Sequence, residues 1–116
     1  IAAAVETMVR TGADTVVSVT EVPHRYNPVS LMTFSTKGGL VPYKQGPMIL
    51  RRQDKPLFYA RNGPAVLLVK LSTLMAQDTL FGENTQPYLM DEIDSFDVDN
   101  PIDLVIIEAL MKHDRR

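Results

Sequence analysis

The chain has 116 residues, of which 45% are hydrophobic and 22% are charged, and this balance is typical of one globular domain rather than a disordered tail. It contains no cysteine, which excludes a disulfide framework, a thiolate nucleophile and a zinc-thiolate site, and its two histidines leave little material for an imidazole metal site. A net charge of −2 argues against nucleic acid as a partner, and no apolar run reaches the ~20 residues of a membrane span, so we predict a soluble protein. The absence of cysteine is compatible with a reducing cytoplasm, which we predict as its location.

The first residues have the pattern of an amphipathic helix that ends at Gly12. Its apolar residues recur at helical spacing: Ile1, Ala4, Val5, Met8 and Val9. The pattern begins without a Met and without a capping residue before it. We therefore expect the chain to be one part of a longer protein.

Short extended segments follow this helix. The β-branched run Thr15–Thr20 predicts a sheet strand, and the two prolines of residues 22–28 predict a loop after it. Leu31–Phe34 and Leu40–Val41 flank Ser35–Gly39, whose paired glycines permit a tight reversal, so we predict a β-hairpin.

The second half alternates strand and helix patterns. Met48–Arg52 predicts a further short strand, and residues 57–60 are extended in character. Ala65–Val69 is continuously apolar and predicts the best core strand, covered on both faces. Ser72 is placed to cap a short helix through Gln77, and Gln86–Met90 predicts another strand. The whole pattern predicts an α/β layer fold.

The last segment predicts a well-specified helix. Asn100 is placed as its N-cap and Pro101 as its first residue, with Asp103 in the first turn. The predicted apolar stripe is Ile102, Val105, Ile106, Ala109 and Leu110. Positive charge is concentrated at the carboxyl end, in Lys112, His113, Arg115 and Arg116.

Two carboxylates immediately before this helix form the first candidate site. Asp97 and Asp99 are two apart, so on an extended segment they project to the same side and can face one hard cation such as Mg²⁺. The alternative is ordinary helix capping, and the spacing alone favours it.

A cluster of cations, amides and a phenol forms the second candidate site. It comprises Arg51–Pro56 and residues 58–64, and its guanidinium groups suit a carboxylate or phosphate, such as that of an acidic sugar. The alternative is a solvated hairpin with a turn at Asn62 and Gly63. His24 lies in a polar loop, and we assign no general base.

Four ordered segments together resemble the acylneuraminate cytidylyltransferases, the CMP-sialic acid synthetases. They are Val17–His24, Arg51–Pro56, Tyr59–Gly63 and Ser95–Asp99. The resemblance covers essentially the whole chain but only the carboxyl-terminal half of such an enzyme. The Gly-, Arg- and Lys-containing loop that binds CTP in these enzymes has no counterpart here, so the resemblance implies that this chain alone is inactive.

The resemblance implies a three-layer α/β fold, with a mixed sheet like that of the nucleotide-diphospho-sugar transferases. It implies that residues 1–116 form a single domain belonging to a cytidylyltransferase domain. Residues 35–57 would form a β-hairpin excursion that mediates dimerisation, and the protein would be a homodimer.

The resemblance also implies the reaction, which is transfer of CMP from CTP to an acidic nine-carbon sugar with release of pyrophosphate. Asp97 and Asp99 would be catalytic and would hold Mg²⁺. Arg52 and Gln53 would reach a sugar site of the same or the partner subunit, with Tyr59 and Asn62 near the same pocket. A second hypothesis is a non-catalytic dimerisation or sugar-binding fragment that lacks the CTP site.

Overall fold

The computed structural model describes residues 1–113, and these divide into two units. The first unit consists of residues 1–20 and those from 61 onward, and the second consists of residues 21–60. The helices are α1 (Ala2–Thr11), α2 (Leu71–Gln77) and α3 (Pro101–His113). The strands are β1 (Thr15–Glu21), β2 (Met32–Phe34), β3 (Leu40–Pro42), β4 (Tyr59–Arg61), β5 (Leu67–Val69) and β6 (Thr85–Leu89).

Strand β1 is the centre of a mixed sheet. It pairs in parallel with β6, from Thr15 opposite Thr85 to Val19 opposite Leu89, and antiparallel with β5, where Val16 lies opposite Leu68. Strand β4 completes this four-stranded sheet. Strand β1 is thus paired along both edges, and its first five residues are all buried. The predicted α/β class is confirmed at this level.

The core of the first unit lies where α1 meets the sheet. Ala4, Ala13 and Val16 are fully buried, and Met8, Val66, Leu68 and Tyr88 pack against them. The predicted helix is confirmed, but its apolar stripe is only partly buried because Ile1 and Val9 remain exposed. Along this helix, therefore, Ala4 and Met8 provide the core contacts.

Gly12 ends α1 in the left-handed conformation, with φ 67°, and its N–H donates to the Met8 carbonyl. No atom lies within 4 Å of where a Cβ would be, so Gly12→Ala would cost only backbone strain. We expect that substitution to lower the free energy of unfolding by about 1 kcal/mol, as measured by urea denaturation. Gly39→Ala is the control, since Gly39 has no positive φ and only an ordinary contact with Ser35. Equal losses for the two variants would contradict this account.

The second unit contains the predicted hairpin, which is confirmed. Strands β2 and β3 are antiparallel, and the turn between them is closed by the Ser35 N–H, which donates to the Gly39 carbonyl at 2.7 Å. The predicted strand over Met48–Arg52 is wrong: residues 47–50 have no regular structure, and a short 3-10 helix, Arg52–Asp54, follows them. Within residues 1–113 this stretch has no neighbouring strand with which to form backbone hydrogen bonds, so its apolar side chains alone do not make it a strand.

The predicted loop of residues 22–28 contains two 3-10 turns, His24–Tyr26 and Pro28–Ser30. Asn27 between them is buried. Its Oδ1 accepts from the Val29 N–H, and its Nδ2 donates to the Pro56 carbonyl at 2.7 Å. Asn27 is therefore a structural residue of this loop.

Two predictions in the first unit need correction. The predicted core strand is shorter than expected: β5 spans only Leu67–Val69 and is half-buried, because it lies at the end of the sheet path that runs through β1. The most buried strand is β1 instead. Helix α2 begins at Leu71 after Lys70, so Ser72 lies in its first turn and makes no cap hydrogen bond.

Helix α3 begins where it was predicted, but only Ile106 and Leu110 of its predicted apolar stripe are half-buried. Ile102 and Val105 are about three-fifths exposed, whereas the half-buried positions are Asp103, Ile106, Ile107 and Leu110. Glu108 and Lys112 form an exposed ion pair one turn apart. The predicted charges at Arg115 and Arg116 lie outside the described residues. Among residues 1–113, no helix is long and apolar enough to cross a membrane.

Candidate functional site

The segment that carries Asp97 and Asp99 connects a short 3-10 helix, Glu92–Asp94, to α3. Asp97 Oδ1 accepts from the Val98 N–H at 3.0 Å. At the start of α3, Asp103 Oδ2 accepts hydrogen bonds from the N–H groups of Asp99 (2.9 Å) and Asn100 (3.0 Å). This is the reverse half of a capping box, and it fixes the backbone at Asp99.

The carboxylates of Asp97 and Asp99 are both exposed, and within residues 1–113 neither forms an ion pair. Two carboxylates with open coordination suit Mg²⁺, which keeps several waters and takes further ligands from substrate phosphates. No group of three metal-binding side chains occurs in the described part of the chain. Magnesium binding by Asp97 and Asp99, with further ligands from a phosphorylated substrate, therefore remains a prediction.

Asn62 is held by hydrogen bonds at both ends of its side-chain amide. Its Oδ1 accepts from the Ser18 hydroxyl at 2.6 Å and from the Ala65 N–H at 3.3 Å. Its Nδ2 donates to Ser95 Oγ at 3.0 Å and contacts Met90 Sδ at 3.4 Å. A side-chain amide has two donor hydrogens and two acceptor positions, so every hydrogen-bonding position of Asn62 is occupied within the fold.

Ser18 and Ser95 are residues of this site that sequence reasoning missed. Ser18 is fully buried in β1 and accepts from the Val66 N–H at 2.9 Å, while Ser95 donates to the Asp91 carbonyl at 2.7 Å. A serine within an otherwise apolar, β-branched strand was the available signal, because a buried hydroxyl requires partners. Three of the four segments that carry the resemblance thus meet in one chain of hydrogen bonds.

In the second unit, Arg51 and Arg52 have different surroundings. The Arg51 guanidinium lies 3.7 Å from the Asp54 carboxylate and donates to the Gln53 amide oxygen at 2.5 and 3.2 Å when that amide is oriented to accept. Arg52 is exposed, and its guanidinium has no hydrogen bond or ion pair with the described residues. Arg52 is therefore the guanidinium open to a ligand, and Gln53 is partly engaged by its neighbour.

The remaining predicted residue, Tyr59, lies in β4 with half of its surface exposed. Its neighbour Arg61 belongs to the first unit, where its guanidinium stacks on the Phe81 ring at 5.3 Å. This cation–π contact occupies Arg61 within the fold. The roles of Tyr59, Arg52, Gln53 and Asn62 toward a sugar remain predictions.

Two curated proteins are similar to this chain. The post-translational flagellin modification protein B of Campylobacter coli is 36% identical over 94 residues, which is 81% of this chain and 39% of that protein. The CMP-N,N'-diacetyllegionaminic acid synthase of Campylobacter jejuni is 33% identical over 93 residues, which is 80% of this chain and 39% of that protein. No family model matches the chain.

These similarities support a relationship to proteins of the CMP-sialic acid synthetase type, as the four segments indicate. The matched part of the chain corresponds to about two fifths of the length of each relative.

Proposed function

We propose that this chain is part of a cytidylyltransferase that transfers CMP from CTP to an acidic sugar and releases pyrophosphate. The observation that carries the proposal is the exposed pair Asp97 and Asp99, on a segment fixed by Asp103 after it and by Ser95 before it. The similarity to a CMP-N,N'-diacetyllegionaminic acid synthase supports the substrate class, with N-acylneuraminate as another candidate.

In the proposed reaction, a sugar hydroxyl attacks the α-phosphorus of CTP. A new P–O bond forms between the α-phosphorus and the sugar oxygen, and the bond from the α-phosphorus to the oxygen that bridges it to the β-phosphate breaks. Pyrophosphate leaves, and the hydroxyl proton passes to solvent water. Asp97 and Asp99 would hold Mg²⁺, which when bound neutralises charge on the phosphates. Holding both substrates in line supplies most of the remaining catalysis, and no covalent intermediate with the protein is needed.

Arg52 is the proposed anchor for the sugar carboxylate. A guanidinium can bind a carboxylate through two parallel hydrogen bonds, and the Arg52 side chain is exposed and makes no such bond with residues 1–113. Gln53 and Tyr59 are proposed to contact the same sugar.

The surrounding fold is proposed to be a three-layer α/β domain of the nucleotide-diphospho-sugar transferase type. The mixed sheet around β1 supports this proposal, since α1 covers one of its faces. A cytoplasmic location remains a proposal, based on the absence of cysteine.

Residues 35–57 of the second unit, together with strand β2 of the same hairpin, are proposed to mediate homodimer formation. This hairpin exposes large apolar side chains, including Phe34 at 76% and Leu40 at 61%, and contiguous exposed apolar surface marks association sites. We expect light scattering to give the mass of a dimer and the variant Phe34→Ser/Leu40→Ser to give that of a monomer. Met75→Ser, on the exposed side of α2 in the first unit, should leave the dimer intact. A wild-type monomer at micromolar concentration would contradict the proposal.

A non-catalytic dimerisation or sugar-binding fragment is the alternative, and the same exposed apolar surface favours it. Product analysis separates the two functions. The protein expressed from the intact gene is incubated with Mg²⁺, an equimolar mixture of CTP and UTP, and acidic or neutral sugars, and the products are identified by mass. The proposal expects CMP linked to an acidic sugar as the product, whereas sugar binding without any nucleotide sugar would support the alternative.

A further inference from the structure

We infer that Asn62 is a positioning residue for the Asp97 and Asp99 carboxylates, acting through Ser95 rather than by contact with substrate. This inference rests on the proposed function, because it concerns the same metal-binding pair. It differs from the role implied by the resemblance, in which Asn62 lies near the sugar pocket.

The hydrogen bonds of Asn62 form one directed chain. The Ser18 hydroxyl donates to Asn62 Oδ1, Asn62 Nδ2 donates to Ser95 Oγ, and the Ser95 hydroxyl donates to the Asp91 carbonyl. Donors and acceptors alternate correctly along the whole path, and bonds in such chains polarise and strengthen one another. The path leads from the fully buried centre of β1 to the turn that precedes Asp97.

Ser95 is the residue of this segment whose side chain bonds to Asn62. Its N–H donates to the Glu92 carbonyl at 3.0 Å, so both its backbone and its side chain hold the 3-10 turn in place. Residues 96–99 are exposed, and at the end of this stretch the Asp99 N–H donates to Asp103 Oδ2. The segment that carries the two carboxylates is therefore held by hydrogen bonds at both ends, and Asn62 makes the hydrogen bond at the end nearer the sheet.

The amide has no remaining capacity for a ligand. Both Nδ2 hydrogens and both Oδ1 positions are engaged by Ser18, Ala65, Met90 and Ser95. A sugar that bound Asn62 would have to break one of these bonds and leave a half-buried group unpaired. A role in supporting the proposed metal-binding segment leaves all four of these contacts intact.

The affinity of the protein for Mn²⁺, used alone as a spectroscopic probe for Mg²⁺, tests this inference. The free ion is counted by electron paramagnetic resonance with the protein expressed from the intact gene. We expect Asn62→Ala and Ser95→Ala each to raise the Kd for Mn²⁺ about tenfold, the size of effect found for residues that orient metal ligands. Ser95→Thr keeps the hydroxyl and should restore most of the affinity.

Asn84→Ala is the matched control for lost stability. Asn84 is also half-buried and bonded through its amide, to the Thr11 carbonyl and Gln86, but not to residues 90–99. A purely structural role of Asn62 would lower the melting temperature of both Asn variants and leave the Kd for Mn²⁺ of the folded protein unchanged in both. That result would overturn the inference.

Asp97→Asn distinguishes the failure of the inference from the failure of the proposed function. If wild-type protein binds no Mn²⁺, or if Asp97→Asn leaves the Kd unchanged, the proposed metal site is wrong and the inference fails with it. If Asp97→Asn abolishes binding while Asn62→Ala and Ser95→Ala retain the wild-type Kd, only the positioning role is wrong.

Discussion

Replacing Asp97 or Asp99 by Asn is expected to lower kcat by about 10²-fold or more in the protein expressed from the intact gene. Each substitution keeps the shape of the side chain but removes a negative charge that would hold Mg²⁺, and the metal contributes several kcal/mol to charge stabilisation in the transition state. Both side chains are exposed, so the folded structure should be retained. Steady-state pyrophosphate release at saturating CTP and sugar measures the effect.

Asp78→Asn is the control for this pair of variants. Asp78 is an exposed carboxylate in the first unit, and it ends α2 in a left-handed conformation that Asn adopts readily. Its replacement should leave kcat unchanged. If Asp97→Asn and Asp99→Asn turned over like Asp78→Asn, the metal assignment would be wrong and the two aspartates would be ordinary residues of a loop before a helix.

Arg52→Ala is expected to raise the KM for the acidic sugar about 10- to 100-fold with a smaller change in kcat. Hydrogen bonds to a charged group contribute roughly 1.5–3 kcal/mol, and each 1.4 kcal/mol is a factor of ten in affinity. Arg51→Ala is the comparison, because Arg51 is already engaged by Gln53 and Asp54. Its effect on KM should be several-fold smaller.

The methyl ester of the sugar shows whether Arg52 binds the carboxylate itself. Wild-type protein should bind the ester more weakly than the acid, whereas Arg52→Ala should bind the two alike, because the interaction that distinguishes them is gone. A variant that still prefers the acid to the same degree as wild type would assign the carboxylate to another residue. The change in KM would then reflect a general loss of positive charge.

Local patterns in the sequence predicted the elements whose own residues dictate their structure. Gly12 ends α1, the β-branched run beginning at Thr15 forms β1, and paired glycines turn the hairpin. The pattern failed where the structure depends on neighbours in space. Ala65–Val69 is apolar throughout, yet its place at the end of a sheet path leaves β5 short and half-buried.

The candidate site shows the same division. Local spacing could single out Asp97 and Asp99 and could place Asp103 in the first turn of α3, where its carboxylate accepts from the Asp99 N–H. The bonds from Asn62 to Ser18 and Ser95 join residues 44 and 33 positions apart, and no local periodicity relates such positions. The sequence indicated which residues belong to the candidate site. The structure was needed to separate the proposed metal ligands from the residues proposed to hold them in place.

Pyrophosphate release by the protein expressed from the intact gene is the most direct test of the proposed cytidylyltransferase activity. The reaction contains CTP, an acidic nine-carbon sugar and Mg²⁺, and parallel reactions omit the sugar or the metal. A cytidylyltransferase should release pyrophosphate only when all three components are present, and we expect no release from the 116-residue chain alone. Release that proceeds without sugar, or no release at all from a folded, dimeric protein, would contradict a cytidylyltransferase and favour the binding module.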